Sequence, residues 1–148
     1  MSAWVLENWF DLLSAVGIIG GLLFTAISLR SETKTRRIAN LLTITANHRE
    51  IWKQFLNRPD LARVLDANAD VIKQPVTRSE EIFVNLVVQH IAGVYYAMND
   101  ELVVKVEGLR RDVAEFFLAP IPAAIWEKTK RMQNDQLVAF VESCLNWK

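Results

Sequence analysis

The chain has 148 residues, with 17 Lys and Arg against 17 Asp and Glu, for a formal net charge of zero. That total conceals a split, because the first 11 residues carry only Glu7 and Asp11 as side-chain charges and the remainder is net positive. The single Cys144 excludes an internal disulfide and any cysteine-cluster metal site.

The first element is an uncharged run of 18 residues, Leu12 to Leu29. As a helix it covers ~27 Å at ~1.5 Å per residue, close to the ~30 Å hydrocarbon core of a bilayer. Trp4, Trp9 and Phe10 precede it, aromatics suited to the headgroup layer. Arg30, Lys34, Arg36 and Arg37 follow it. A cleaved signal peptide starts with basic residues, which this tail lacks, so an uncleaved transmembrane helix is predicted. Every Lys and Arg lies at position 30 or later. The positive-inside rule then leaves residues 1–11 as a short extracytoplasmic tail and the rest in the cytoplasm of a bacterial inner-membrane protein. The basic block also faces an anionic leaflet, so membrane lipid is an expected partner.

Within the span, Ser14, Gly17, Gly21, Thr25 and Ser28 recur every three or four residues. Such a small-residue stripe lets helices approach closely in lipid and predicts a homo-oligomer. No ionisable side chain lies in the span, which rules out a proton relay or ion ligand there.

No Pro or Gly occurs between Gly21 and Pro59, so one helix over about residues 11–57 is predicted, with residues 30–57 as a connector. Ile38, Leu41, Thr45, His48, Trp52 and Phe55 give it a heptad-like seam, widened by Leu42, Ile51 and Leu56. Such a connector would couple membrane and soluble domain rigidly.

Residues 58–148 form the predicted cytosolic domain. PDLARVLD, from Pro59 to Asp66, suggests a short helix with Pro and Asp in its first turn. Thr77 and Glu80 have capping-box spacing ahead of Phe83, Leu86, Val87, His90, Ile91, Val94 and Met98. Leu102, Val103 and Val104 either continue that helix or interrupt it. A helix with Leu109, Val113, Phe116 and Phe117 follows, stopped by Pro120 and Pro122. Another is expected from Ala123 to Met132, and a last one capped by Asn134 or Asp135 and running through Leu145. Strand-like alternation is nearly absent. The fold class is therefore all-α, a single N-terminal transmembrane helix continuing into a cytosolic helical domain.

Chemical motifs are sparse. His48 and His90 lie on apolar stripes without a Cys, His or carboxylate at ligand spacing, so no metal is expected. Nucleophile elbows, Walker loops, dinucleotide glycines and kinase signatures are missing, so neither catalysis nor a cofactor is expected. Glu80-Glu81 and Asp100-Glu101 suit helix starts and turns. Cys144 shares an apolar face with Leu137, Val141 and Leu145 and is expected to be a packed thiol.

Binding is what remains. Basic residues cluster at Arg49 and Lys53 around Trp52, at Arg110-Arg111, and at Lys128, Lys130 and Arg131 beyond Trp126. Guanidinium groups beside an indole suit a phosphorylated or nucleotide ligand. The same charges, interleaved with Glu50, Asp112, Glu115 and Glu127, also suit a solvated helix face. Arg49, Trp52 and Lys53, then Arg110 and Arg111, are the candidate ligand-binding residues, and no DNA partner is expected.

The stretch from Tyr95-Tyr96 through GLRRDVAEFFLAP, with AIWEKTKRM, QLVAFVESCL and ANHREIWKQFLNRPDLARVL of residues 46–65, resembles uncharacterised bacterial proteins. Those have one N-terminal span and a cytosolic helical domain, which implies architecture rather than activity. In size and layout the chain also resembles a small CRISPR-associated membrane effector that responds to cyclic oligoadenylate. That resemblance implies an oligomer that reads a cyclic oligonucleotide in antiviral defence and acts on the bilayer, and it carries over no ligand residue. The second expectation is a passive membrane-tethered scaffold that recruits a partner protein.

Overall fold

The computed structural model describes residues 8–103, 106 and 108–146. Trp4, Glu7 and Val104 lie outside the described residues. The structure is 82% helical with no strand among the described residues, which makes it all-α. Two compact units are present, Met1–Ala39 and Asn40–Lys148.

One helix, α1, runs from Trp9 to Asn57, two residues earlier than expected at its start. In the first unit every side chain from Trp9 to Arg36 is exposed, including Leu13, Leu22, Phe24 and Ile27. This stretch is long and apolar enough to cross a membrane. Within it the Thr25 hydroxyl is satisfied inside the helix, donating to the Gly21 carbonyl at 2.8 Å. That matters in lipid, where no water is at hand to satisfy it. Beyond the apolar run, Arg36 and Glu32 pair one turn apart at 2.6 Å.

The second unit carries the core. After α1, Pro59–Leu65 winds as a 3-10 helix rather than an α-helix. Three residues per turn put Leu61 and Val64 above one another, and both are buried. Helix α2, Arg78–Asn99, begins with the expected capping box. The Thr77 N–H donates to Glu80 Oε2 at 2.7 Å, and the Glu80 N–H to Thr77 Oγ at 3.3 Å. Glu80 is itself buried, with Arg63 3.7 Å from its other oxygen. The apolar stripe of α2 is wider than its sequence periodicity suggested, since Val84 and Val88 are buried while Leu86, Val87, His90 and Met98 are half-buried.

The helix does not continue through Leu102. It stops at Asn99, Glu101 takes a φ of 54°, and the Leu102 N–H closes onto the Ala97 carbonyl at 2.8 Å. Asn40 of α1 donates to the Leu102 carbonyl at 3.0 Å. Helix α3, Leu109–Leu118, starts from Gly108 at φ 91°, a conformation in which glycine has no Cβ to clash.

Helix α4 spans Pro120–Thr129 and ends in a 3-10 turn, Lys130–Met132. The expected range of Ala123 to Met132 is corrected accordingly. Pro120 and Pro122 separate two helices but belong to the first turn of the second, where a missing N–H costs nothing. Helix α5, Asp135–Leu145, is capped by Asn134, whose side chain accepts the Gln136 N–H at 2.8 Å. Helix α3 packs on α4 and α5, and α2 on α4 and the 3-10 segment. Trp126, Ile121, Ile125, Leu137, Val141 and Cys144 fill the centre, each 2% exposed or less.

Candidate functional site

Helix α1 contributes no buried residue to the second unit. Its inward positions Leu41, Ile44, Ile51 and Phe55 are half-buried, so the core beside them is left open. The opening is a cleft of about 600 Å³. From α1 it is lined by those four residues with Thr45, His48 and Trp52. From α2 come Phe83, Val87, His90, Ile91 and Val94. Leu109, Asp112, Val113, Glu115 and Phe116 line it from α3. Size and lining fall in the range of small-molecule sites, apolar walls with a few convergent polar groups.

Those polar groups have defined states. The Trp52 indole N–H donates to His48 Nε2 at 2.8 Å. His48 therefore holds its proton on Nδ1 in this arrangement. The His48 and His90 rings lie 5.5 Å apart between centroids, tilted at 36°. Burial, and secondarily the neighbouring His48, pushes the His90 imidazole below its ordinary pKa and favours its neutral form. The Thr45 hydroxyl donates to the Leu41 carbonyl at 2.9 Å. Asp112 and Glu115 are exposed and stand at the rim. Aromatic edges continue the α1 wall, Trp52 against Phe55 at 5.7 Å and Phe55 against Phe83 at 5.8 Å.

Of the candidate ligand-binding residues, only Trp52 faces this cleft. Arg49 and Lys53 are exposed on α1, and Lys53 pairs loosely with Glu50 at 3.6 Å. Arg110 turns towards α5. Its guanidinium lies 5.6 Å from the centre of the Phe140 ring and donates to Ser143 Oγ at 3.2 Å. Arg111 sits 3.9 Å from Glu115, both largely exposed. The two clusters are not brought into one pocket. The third cluster has no stacking surface, because Trp126 is 1% exposed. Lys130 in that cluster is held by Glu127 at 2.7 Å and Glu142 at 3.3 Å, and these carboxylates raise its pKa.

The five stripe residues, Ser14, Gly17, Gly21, Thr25 and Ser28, are all exposed along α1. A Cβ built on Gly17 or Gly21 meets nothing within 4 Å. Packing inside one copy therefore does not require glycine at either position. Cys144 is a free, fully buried thiol, and burial raises its pKa. Among the described residues, no group of three or more His, Cys, Asp and Glu is placed to hold a metal ion.

Sequence reasoning missed the histidine pair, whose members stand 42 positions apart, and the two carboxylates at the rim. Asp112 and Glu115 had a local signal, since they flank the apolar positions Leu109, Val113 and Phe116 on one helix. The histidine pair had none. The chain belongs to DUF6082, a family of unknown function, whose profile matches residues 10–139 and so takes in nearly all of α1 and every cleft residue. No curated protein and no solved structure matches the chain significantly.

Proposed function

We propose that this protein is a membrane-anchored, non-enzymatic sensor whose cytoplasmic helical unit takes a ligand into the α1–α2–α3 cleft. One observation carries the reading: the helix that walls the cleft with Ile44, His48, Ile51 and Trp52 also carries the stretch long and apolar enough to cross a membrane. A ligand gripping that wall acts on the anchor directly. In this reading Arg30, Lys34, Arg36 and Arg37 hold the second unit on the cytoplasmic side of a bacterial inner membrane, where they also meet anionic lipid. Copies associate through the exposed small-residue stripe, which supports concerted action on the bilayer.

A second reading places a cyclic oligonucleotide or other anion on Arg49, Lys53 and Trp52. Their shared exposure on α1 favours it, and Arg110, held against Phe140 and Ser143, does not join them. The passive scaffold would bind a partner without affecting the membrane.

Membrane potential separates these readings. Expression in a bacterial host is expected to depolarise the cells. Filling the cleft by Thr45→Trp should change that response while membrane content of the protein stays constant. Substituting Arg49 and Lys53 with glutamine should leave it unchanged under the cleft reading and abolish it under the anionic one. An unaltered potential in all strains would replace the sensor with the scaffold.

A further inference from the structure

Resting on the cleft reading above, we infer that its ligand is a small organic cation, a protonated amine on an apolar body of ring size. Charge is the first argument. Asp112 and Glu115 stand at the rim, and no Lys or Arg is among the described lining residues. An anion entering this cleft would meet two carboxylates, with Arg111 3.9 Å from Glu115 but not among the described lining residues, whereas an ammonium would meet favourable charge on the α3 wall.

Hydrogen-bond capacity is the second. On the α1 wall the Trp52 N–H is committed to His48 and the Thr45 hydroxyl to the Leu41 carbonyl, which leaves the His48 Nδ1–H as the donor there. Beside the two imidazole N–H groups, the cleft offers a larger set of acceptors, namely carboxylate oxygens, the Thr45 lone pairs and one ring nitrogen of a neutral His90. An ammonium brings only donors, which this set of acceptors, the carboxylates above all, can take. The third argument is the apolar part. Trp52 and Phe116 line the same space, which accommodates an apolar body and puts aromatic rings within reach of a cation.

The test uses the full chain in phosphatidylcholine nanodiscs, titrated by calorimetry at neutral pH and corrected against empty nanodiscs. Three probes share one ring system and differ only in head group: 1-naphthylmethylammonium, 1-naphthylmethanol and 1-naphthoate. The ammonium should bind saturably and about tenfold more tightly than the alcohol, the order that two partly exposed ion pairs supply. Asp112→Asn with Glu115→Gln should erase that preference and leave the alcohol unchanged. Both side chains are exposed, so the fold should tolerate the exchange. Thr45→Trp should weaken both probes by occupying the space. If the alcohol or the naphthoate binds as tightly as the ammonium, the cation assignment is overturned and the cleft reading stands. If no probe binds above the empty-disc background, the assignment and the cleft reading both fall.

Discussion

Ile19→Arg combined with Leu22→Arg should move the protein from the membrane pellet to the soluble or aggregated fraction. Both positions lie near the middle of the uncharged run, and both side chains are exposed on α1, at 58% and 66%. Both are exposed within one copy, so for the proposed anchored protein lipid is the environment that the substitution changes. An arginine at the centre of a membrane helix costs about 2.5–3.5 kcal/mol to insert, so the pair costs about 5–7 kcal/mol. That is enough to reverse insertion of a single span of only 18 residues. Arginines at Thr33 and Thr35, beyond Arg30, should leave fractionation unchanged, because that stretch is already polar. Carbonate extraction followed by immunoblotting reads the result. Retention of the Ile19/Leu22 variant in the pellet would mean that another part of the chain holds the membrane.

The second large effect lies in the core. Trp126 is 1% exposed and its ring centre is 5.1 Å from that of Phe117. It joins α4 to α3, while its indole N–H reaches Glu142 of α5 at 3.4 Å. Truncating a buried tryptophan to alanine costs about 3–5 kcal/mol, through lost transfer energy and the cavity left behind. Against total stabilities of about 5–15 kcal/mol, that is a large share. For a unit of this size the melting temperature should fall by about 12 °C or more. Near-UV circular dichroism follows the packed core without counting the exposed apolar part of α1. Trp9→Ala, on the exposed start of α1, should leave that transition in place. Equal melting of the two variants would contradict a core centred on Trp126.

Local relations were legible in the sequence, and relations closed by tertiary structure were not. The Thr77–Glu80 box is read from neighbours a few positions apart and occurs where expected, and of the two neighbouring cap candidates, Asn134 and Asp135, the structure uses Asn134. The apolar run is visible because its length and lack of charge are properties of consecutive residues. Pro120 and Pro122 resemble a stop in the sequence, yet proline is equally at home in a first helical turn, and the structure uses them there. The segment at Pro59 was expected to be helical. Its short length and the three-residue spacing of Leu61 and Val64 favour the 3-10 form.

The cleft is a different case. The stripe Leu41, Ile44, Ile51 and Phe55 looks the same in sequence whether its facing helices close on it or stand back. Only the fold reveals that these residues are half-buried. The candidate cations are visible in the sequence only as separate local clusters. Their separation follows from Phe140 and Ser143, which draw Arg110 to α5, and no local pattern records that.

The most direct measurement is accessibility of the cleft from each side of the membrane. Thr45→Cys in a Cys144→Ala background carries one thiol, beside the cleft, on an exposed position of α1. In intact spheroplasts a membrane-impermeant maleimide should leave it unlabelled, and permeabilisation should expose it to full labelling while the protein stays in the membrane fraction. Labelling in intact spheroplasts, or recovery of the protein in the soluble fraction, would contradict an anchored chain with its ligand cleft in the cytoplasm.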